Sequence, residues 1–253
     1  MEQGFDRYIV QQSPSYYNYG LLKTVPESRY SCLMPWHLDQ VQECLLYETK
    51  NMIINKIVDT TANIGCDTIL FRLLFQDAEI VSIELNPNTA CILSNNMCNI
   101  SNIIGKSVLD IQVENINCLD YIYDNPADLL YFDPPWGEDY KNNICNLSLS
   151  SIDLGIIINN ILLSYPTLIV TKLPFNIDFN QFTYNVTYNL DNVYIKTYEI
   201  YTPSAKNPKI SYLLVFIKLI NNVNQTKDYF STRPSRNKIQ SSKPKNKQTW
   251  RKK

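Results

Sequence analysis

From about residue 35 to residue 219 the chain alternates short apolar runs with amphipathic stretches. Residues 35–49 carry Leu38, Val41, Cys44, Leu45 and Glu48 at helical spacing, which predicts a helix. Residues 53–59 form a β-type run that feeds a loop of small residues, 60–67. A helix over 68–75, a strand over 78–84, a helix over 89–98 and a weaker strand over 111–116 follow. The fourth strand, 128–132, runs into Asp133-Pro134-Pro135-Trp136-Gly137. Beyond a polar loop, 138–146, the pattern predicts a helix near 152–163 and a fifth strand over 167–173, which ends in Pro174-Phe175-Asn176. Two alternating runs, 193–201 and 212–219, suit a β-hairpin closing the sheet, with turn residues 203–209 between them. Strands alternating with helices over about 170 residues predict an α/β fold: a doubly wound, Rossmann-like, mostly parallel sheet with a closing antiparallel hairpin and helices on both faces.

The flanks break this pattern. Residues 1–30 are polar and tyrosine-rich and read as an N-terminal arm, so the folded domain is expected over 31–220. Residues 221–253 are almost free of apolar side chains and read as a disordered tail. Charge sharpens the boundary. The tail holds ten Lys+Arg against one acid, which leaves thirteen basic and twenty-three acidic residues in 1–220. An acidic body therefore carries a basic arm, suited to a nucleic acid backbone. Seven cysteines form no C-x-x-C pair and there is one histidine, His37, so no metal is expected and a reducing compartment is the simpler inference. His37, at the start of the first helix, reads as a surface or capping residue. No apolar run approaches a membrane span and no signal-type stretch opens the chain, which predicts an intracellular protein, cytoplasmic or nuclear, with no membrane partner.

Three predicted strands end in a carboxylate, Asp59, Glu84 and Asp133, and Asp120 follows the weaker one. In open α/β sheets that carboxyl edge is where ligands bind. Glu84 lies about 20 residues beyond the small-residue loop, a spacing at which an acid accepts ribose hydroxyls. The loop 59–67 has one glycine, no lysine and an acid at each end, which excludes a P-loop. An acid-lined nucleoside pocket instead suits a cationic cofactor such as the sulfonium S-adenosylmethionine. Asp120 could accept the adenine amino group while Tyr121 packs on the ring. The two prolines offer carbonyls and no N–H donors. Asp133 or the Pro134 carbonyl could thus hold an exocyclic amine N–H while Trp136 stacks on the base.

In this order and spacing, Asp59…Gly65, Ile83-Glu84-Leu85-Asn86-Pro87, Asp120-Tyr121 and Asp133-Pro134-Pro135-Trp136 resemble a class I S-adenosylmethionine-dependent methyltransferase. More narrowly they are similar to the trimethylguanosine synthase family, which methylates N2 of a 7-methylguanosine RNA cap. Its Pro-Pro-Trp-Gly-Gly stretch with a following Asp-Tyr has its counterpart in residues 134–140, and Leu173-Pro174-Phe175-Asn176 resembles its Leu-Pro-x-Asn turn. The resemblance covers about residues 25–219. It implies S-adenosylmethionine held by Asp59, Thr60, Ala62, Gly65, Glu84, Asn86, Asp120, Tyr121 and Asp133. It implies catalysis at Asp133, Pro134, Pro135 and Trp136, and capped RNA held by Trp136, Tyr140, Lys141 and Asn176. The chain departs from the family at Asn63 and Cys66, where the loop has glycines, and at Glu138, where a second glycine follows the tryptophan. Asp133 gives the Asp-Pro-Pro-Trp form typical of N6-adenine methyltransferases acting on DNA or RNA, which stays open as an alternative. So does a non-catalytic RNA-binding module that keeps the fold without the cofactor.

Overall fold

The computed structural model describes Lys23, Leu33 and residues 35–104, 111–137, 146–202 and 208–220. The N-terminal arm apart from Lys23, the 138–145 loop with Tyr140 and Lys141, and the 221–253 tail lie outside the described residues. In chain order the elements are α1 (Pro35–Thr49), β1 (Lys56–Asp59), α2 (Cys66–Leu74), β2 (Glu79–Ile83), α3 (Pro87–Ile104), β3 (Ile111–Glu114), α4 (Leu119–Ile122) and β4 (Leu129–Phe132). Then come β5 (Ser148–Leu149), β6 (Ile152–Asp153), α5 (Leu154–Ser164), β7 (Leu168–Leu173), α6 (Phe179–Thr187), β8 (Val193–Thr202) and β9 (Lys209–Leu219).

A seven-stranded sheet has the order β3-β2-β1-β4-β7-β9-β8, and β5 pairs with β6 in a separate two-stranded sheet. From β3 across to β7 the strands run parallel, while β9 is antiparallel to both β7 and β8. The chain winds outward from β1 to β3, then returns to place β4 on the other side of β1. The direction of winding thus reverses between β1 and β4, and a crevice forms outside the carboxyl ends of strands at such a point. The expected doubly wound sheet with its closing hairpin is what the chain forms.

The central strands are covered on both faces and read as mostly apolar runs, broken by Ser82 in β2 and by Thr171 and Lys172 in β7. On one face Leu38, Val41 and Leu45 of α1, Ile69, Leu70 and Phe71 of α2, and Leu93 and Met97 of α3 pack against Ile57, Ile80, Leu129 and Val170. On the other, Ile157, Ile158 and Ile161 of α5 and Phe182 and Val186 of α6 pack against Val58, Val81, Leu130 and Ile169.

Several boundaries move from the sequence pattern for identifiable reasons. β1 starts at Lys56 rather than 53, because Asn55 N and Lys56 N donate to Asp128 Oδ2 at 2.7 and 2.9 Å. Ile53 is 81% exposed. α3 starts at Pro87 rather than 89: Asn86 Oδ1 accepts from Asn88 N and Thr89 N at 2.9 and 3.2 Å, with proline in the first helical position. His37 is buried rather than at the surface. Its Nε2 lies 3.0 Å from Ser211 Oγ, and its ring meets Tyr212 edge-on at 5.1 Å. Cys66 is disulfide-bonded, where the sequence pattern predicts reduced thiols; Cys44, Cys91, Cys98 and Cys118 are free.

Candidate active site

The loop after β1 is tied to both neighbouring strands. Thr60 N and Oγ1 donate to Tyr131 O of β4 at 3.0 and 2.7 Å, and Ala62 N donates to Ile83 O of β2 at 2.9 Å. Asp133 N, just past β4, donates to Thr61 Oγ1 at 2.8 Å. The loop closes at Gly65, whose φ is +97°. That left-handed backbone requires glycine, while a Cβ there would meet only the flexible ends of Met97 and Leu93, at 2.3 and 2.8 Å.

Between this loop and Asp133 lies an open cleft with an empty volume of about 220 Å³, lined by Thr61, Ala62, Asn63, Ile64, Cys66, Asp67 and Asp133. The fold brings Asp59, Thr60, Ala62, Gly65, Glu84 and Asp133 together around the loop. Glu84 is half-buried, accepting from Asn63 N (3.0 Å) through Oε2 and from Asn86 N (2.8 Å) through Oε1. Asn86 spends its side chain on the α3 cap, and the Thr60 and Ala62 amides are taken by strand carbonyls, so these three shape the loop rather than donate into the cleft. Asp120 is exposed on α4. The Tyr121 ring sits 5.8 Å from Lys56 Nζ, on the first residue of β1, whereas Asp133 follows the last residue of β4. The Trp136 indole is half-buried, packs against both cores and tilts toward Tyr212 at 6.5 Å. Pro134 is buried, Pro135 exposed, and Asn176 half-buried in the turn closed by Ile177 N donating to Pro174 O.

Under the cleft lies a charge cluster that the sequence pattern does not assemble. Lys172 of β7, 5% exposed, donates to Asp133 Oδ2 at 2.7 Å, faces Asp67 Oδ2 at 3.8 Å, and sits 5.2 Å from the Tyr212 ring centroid. A signal for it is present: a lysine inside Leu168-Ile169-Val170-Thr171-Lys172-Leu173 is buried, and buried lysines are paired. Burial raises the carboxyls around Lys172, and Lys172 pulls them back. Asp133 settles at about 6, raised by burial, lowered by Lys172 and raised by Asp67. Asp67 is raised by burial and lowered by Lys172 and by a hydrogen bond from Tyr131. Asp59 is pushed up to about 8, by burial first and then by Asp67, against the Thr68 hydroxyl that donates to its Oδ2 at 2.7 Å. The backbone N–H of Thr61 also lowers it, and both oxygens of the Asp59 carboxyl are buried. Two carboxyl groups, Asp67 and Asp133, thus flank one ammonium, with the Asp59 carboxyl beside Asp67 behind them.

Among the described residues no group of three His, Cys, Asp or Glu is placed to hold a metal ion, and no helix is long and apolar enough to cross a membrane. No protein-family model matches the chain, and no curated protein matches it. Among solved structures it is similar to an inferred RNA methyltransferase from Pyrococcus horikoshii, with 13% identity over 72% of this chain and 83% of that one and a TM-score of 0.46. It is similar to precorrin-6y C5,15-methyltransferase from Geobacter metallireducens, with 12% identity, 70% and 85% coverage and a TM-score of 0.46. P. horikoshii TYW2, solved in complex with MeSAdo, gives 14% identity, 65% and 56% coverage and a TM-score of 0.41. Each of these is a likeness of fold.

Proposed function

We propose that residues 31–220 form an S-adenosylmethionine-dependent methyltransferase whose acceptor is an exocyclic amine of a purine in RNA, with guanine N2 of a 7-methylguanosine cap as the target. The observation that carries this reading is Asp133. It is a nearly buried carboxylate in the cleft wall, with a pKa of about 6, followed by two prolines and a half-buried indole.

The residues present fit such a cofactor. Two carboxyl groups, Asp67 and Asp133, line the cleft against one lysine, which suits a ligand bearing a sulfonium and an ammonium. The cleft is too small and open to enclose a nucleoside cofactor, so the ligand would lie across its mouth, past Asn63 and toward Glu84, whose Oε2 accepts from Asn63 N. Two of the roughly four lone-pair sites of that carboxylate go to backbone amides, and the rest remain for ribose hydroxyls.

When bound, the cofactor supplies a methyl group already activated on sulfur, so the chain's own task is mostly positioning. Asp133 accepts an amine N–H, which turns the nitrogen lone pair toward the methyl. It is ionised at neutral pH and takes the proton released after transfer. Trp136 stacks on the base. A 7-methylated guanine is cationic, and a desolvated cation–π contact of roughly 2 kcal/mol would favour it over the unmethylated base by tens of fold. Residues 221–253, with ten Lys+Arg, suit backbone phosphates of the same RNA. The Asp133-Pro134-Pro135-Trp136 form favours adenine N6 as the second reading.

Methyl transfer from labelled S-adenosylmethionine to a 7-methylguanosine cap analogue, an unmethylated cap and adenine oligonucleotides separates the readings. Transfer confined to the 7-methylated cap is expected. Trp136→Ala should abolish that preference while calorimetric cofactor affinity stays within about threefold. Transfer confined to the oligonucleotides moves the target to adenine N6, and no transfer with no cofactor binding leaves an RNA-binding module.

A further inference from the structure

We propose that Lys172 is the positioning residue of this site. Bonded at 2.7 Å to Asp133 Oδ2 and facing Asp67 Oδ2 at 3.8 Å, it fixes the Asp133 carboxylate so that its other oxygen is presented to the cleft as the acceptor for the substrate amine. The proposal rests on the amine-methylation reading and names a residue which that reading does not require.

The geometry is specific. Asp133 is held at two points: its backbone N–H donates to Thr61 Oγ1, and its Oδ2 receives Lys172. No described residue bonds Oδ1, and Asp133 lines the cleft, so the unengaged oxygen is the one a ligand can reach. Lys172 has no such access. It is 5% exposed, lies on the fifth strand in the sheet order, and is capped by the Tyr212 ring at 5.2 Å. It therefore acts through Asp133 and touches neither substrate nor cofactor. A two-point hold matters because a near-attack geometry tolerates little displacement, and about 1 Å can cost a hundredfold in rate.

The groups facing the pair come from every neighbouring element. They are Asp59 of β1, Asp67 of α2, Tyr131 of β4, Tyr212 of β9 and His37 of α1. Tyr131 and Tyr212 are raised from the ordinary phenol value, and His37 is lowered to about 4, so none of the three changes charge between about pH 5 and 8. In that window Lys172 and the carboxylates set the charge at Asp133. Lys172 lowers Asp133 and Asp67 raises it, which gives substitutions of opposite sign.

The test uses the full chain and two readouts: the pH dependence of kcat for methyl transfer, and carbon-13 carboxyl titration of Asp133 by NMR. Lys172→Met should raise the acid limb and the carboxyl titration by about one unit or more. It should lower kcat at neutral pH at least about tenfold. Asp67→Asn relieves a buried repulsion and keeps the fold even where Lys172→Met loses it; it should move both readouts to lower pH. Lys172→Arg should restore part of kcat. Titrations that stay put in the folded variants, or a kcat unaffected by Asp67→Asn and Lys172→Arg alike, overturn the proposal. Wild-type chain that transfers no methyl group, with Asp133 titrating as stated, overturns the methylation reading instead.

Discussion

At the scale of single residues, Asp59 shows how a site of this kind sets stability against binding. Its carboxyl is raised from 3.8 to about 8 in the folded chain. A raised carboxyl contributes its full stability below its unfolded value and loses it as pH climbs through the folded one, because the unfolded chain gives up its proton first. The fold should thus weaken steadily from about pH 4 to pH 8 on this account alone. Asp59→Asn removes the titration and still accepts the Thr68 hydroxyl. It should raise stability at about pH 8 by on the order of 2 kcal/mol, with little change at about pH 4, as read by urea denaturation at the two pH values. Equal stability changes at both pH values would count against the assignment. Residues like Asp59, Glu84 and Asp133 are legible as strand-end acids. Lys172 and Asp67 are not assembled by the sequence, since neither pairing follows from spacing along the chain; β4, β7 and α2 meet only when the sheet is built.

Among the elements, the strands that read as mostly apolar runs are the central ones, β1, β2, β4 and β7, whose burial on both faces leaves no alternation to misread. The longest element that escapes the pattern is α6; the short α4, β5 and β6 escape it too, β6 at the start of the helix expected near 152–163. The turn-by-turn sequence of α6 is Asn, Gln and Thr around only two buried side chains, Phe182 and Val186, at a spacing of four. It is held by a cap, Asp178 accepting from Gln181 N, and by α5, which it approaches closely. A Cβ on Gly155 would lie 2.8 Å from Asn185 Cβ. Asp153 joins the two helices: its Oδ1 accepts from Gly155 N at 2.9 Å, Ile156 N at 3.2 Å and Asn185 Nδ2 at 2.9 Å. Losing an N-cap alone costs typically about 1 kcal/mol. Asp153→Ala should therefore lower stability by about 1–2 kcal/mol, seen as a lower urea midpoint at unchanged slope, and leave methyl transfer intact. Asp153→Asn retains the capping oxygen and should recover most of the loss, which separates the cap from general disruption.

At the scale of the whole molecule, the sheet order decides where chemistry can be done. β1 stands between β2 and β4, and both pairings are parallel, so each joins segments separated by a helical crossover or more. The basic tail and the loop that follows Trp136 are assigned from composition and resemblance, and they remain the proposed route for RNA. The cleft belongs to the fold itself, since its walls are the loops that leave β1 and β4.

The stitching of the 60–65 loop to both flanking strands has a consequence in time. The loop can adopt its shape only after β1 has paired with β2 on one side and with β4 on the other, and parallel pairings between distant segments form slowly. The binding surface is thus among the last parts of the chain to be completed and, by the same bonds, among the last to open. The Thr60 and Ala62 amides, bonded to Tyr131 O and Ile83 O, should exchange their hydrogens as slowly as Leu130 in the sheet centre, through global opening alone. The Asn86 amide, held by the Glu84 side chain near the surface, should exchange orders of magnitude faster. A loop that exchanged at the Asn86 rate would mean that the pocket breathes independently of the sheet. Slow exchange would mean that recognition waits on no local ordering, and that a nascent chain is inert toward its ligand until the sheet has closed.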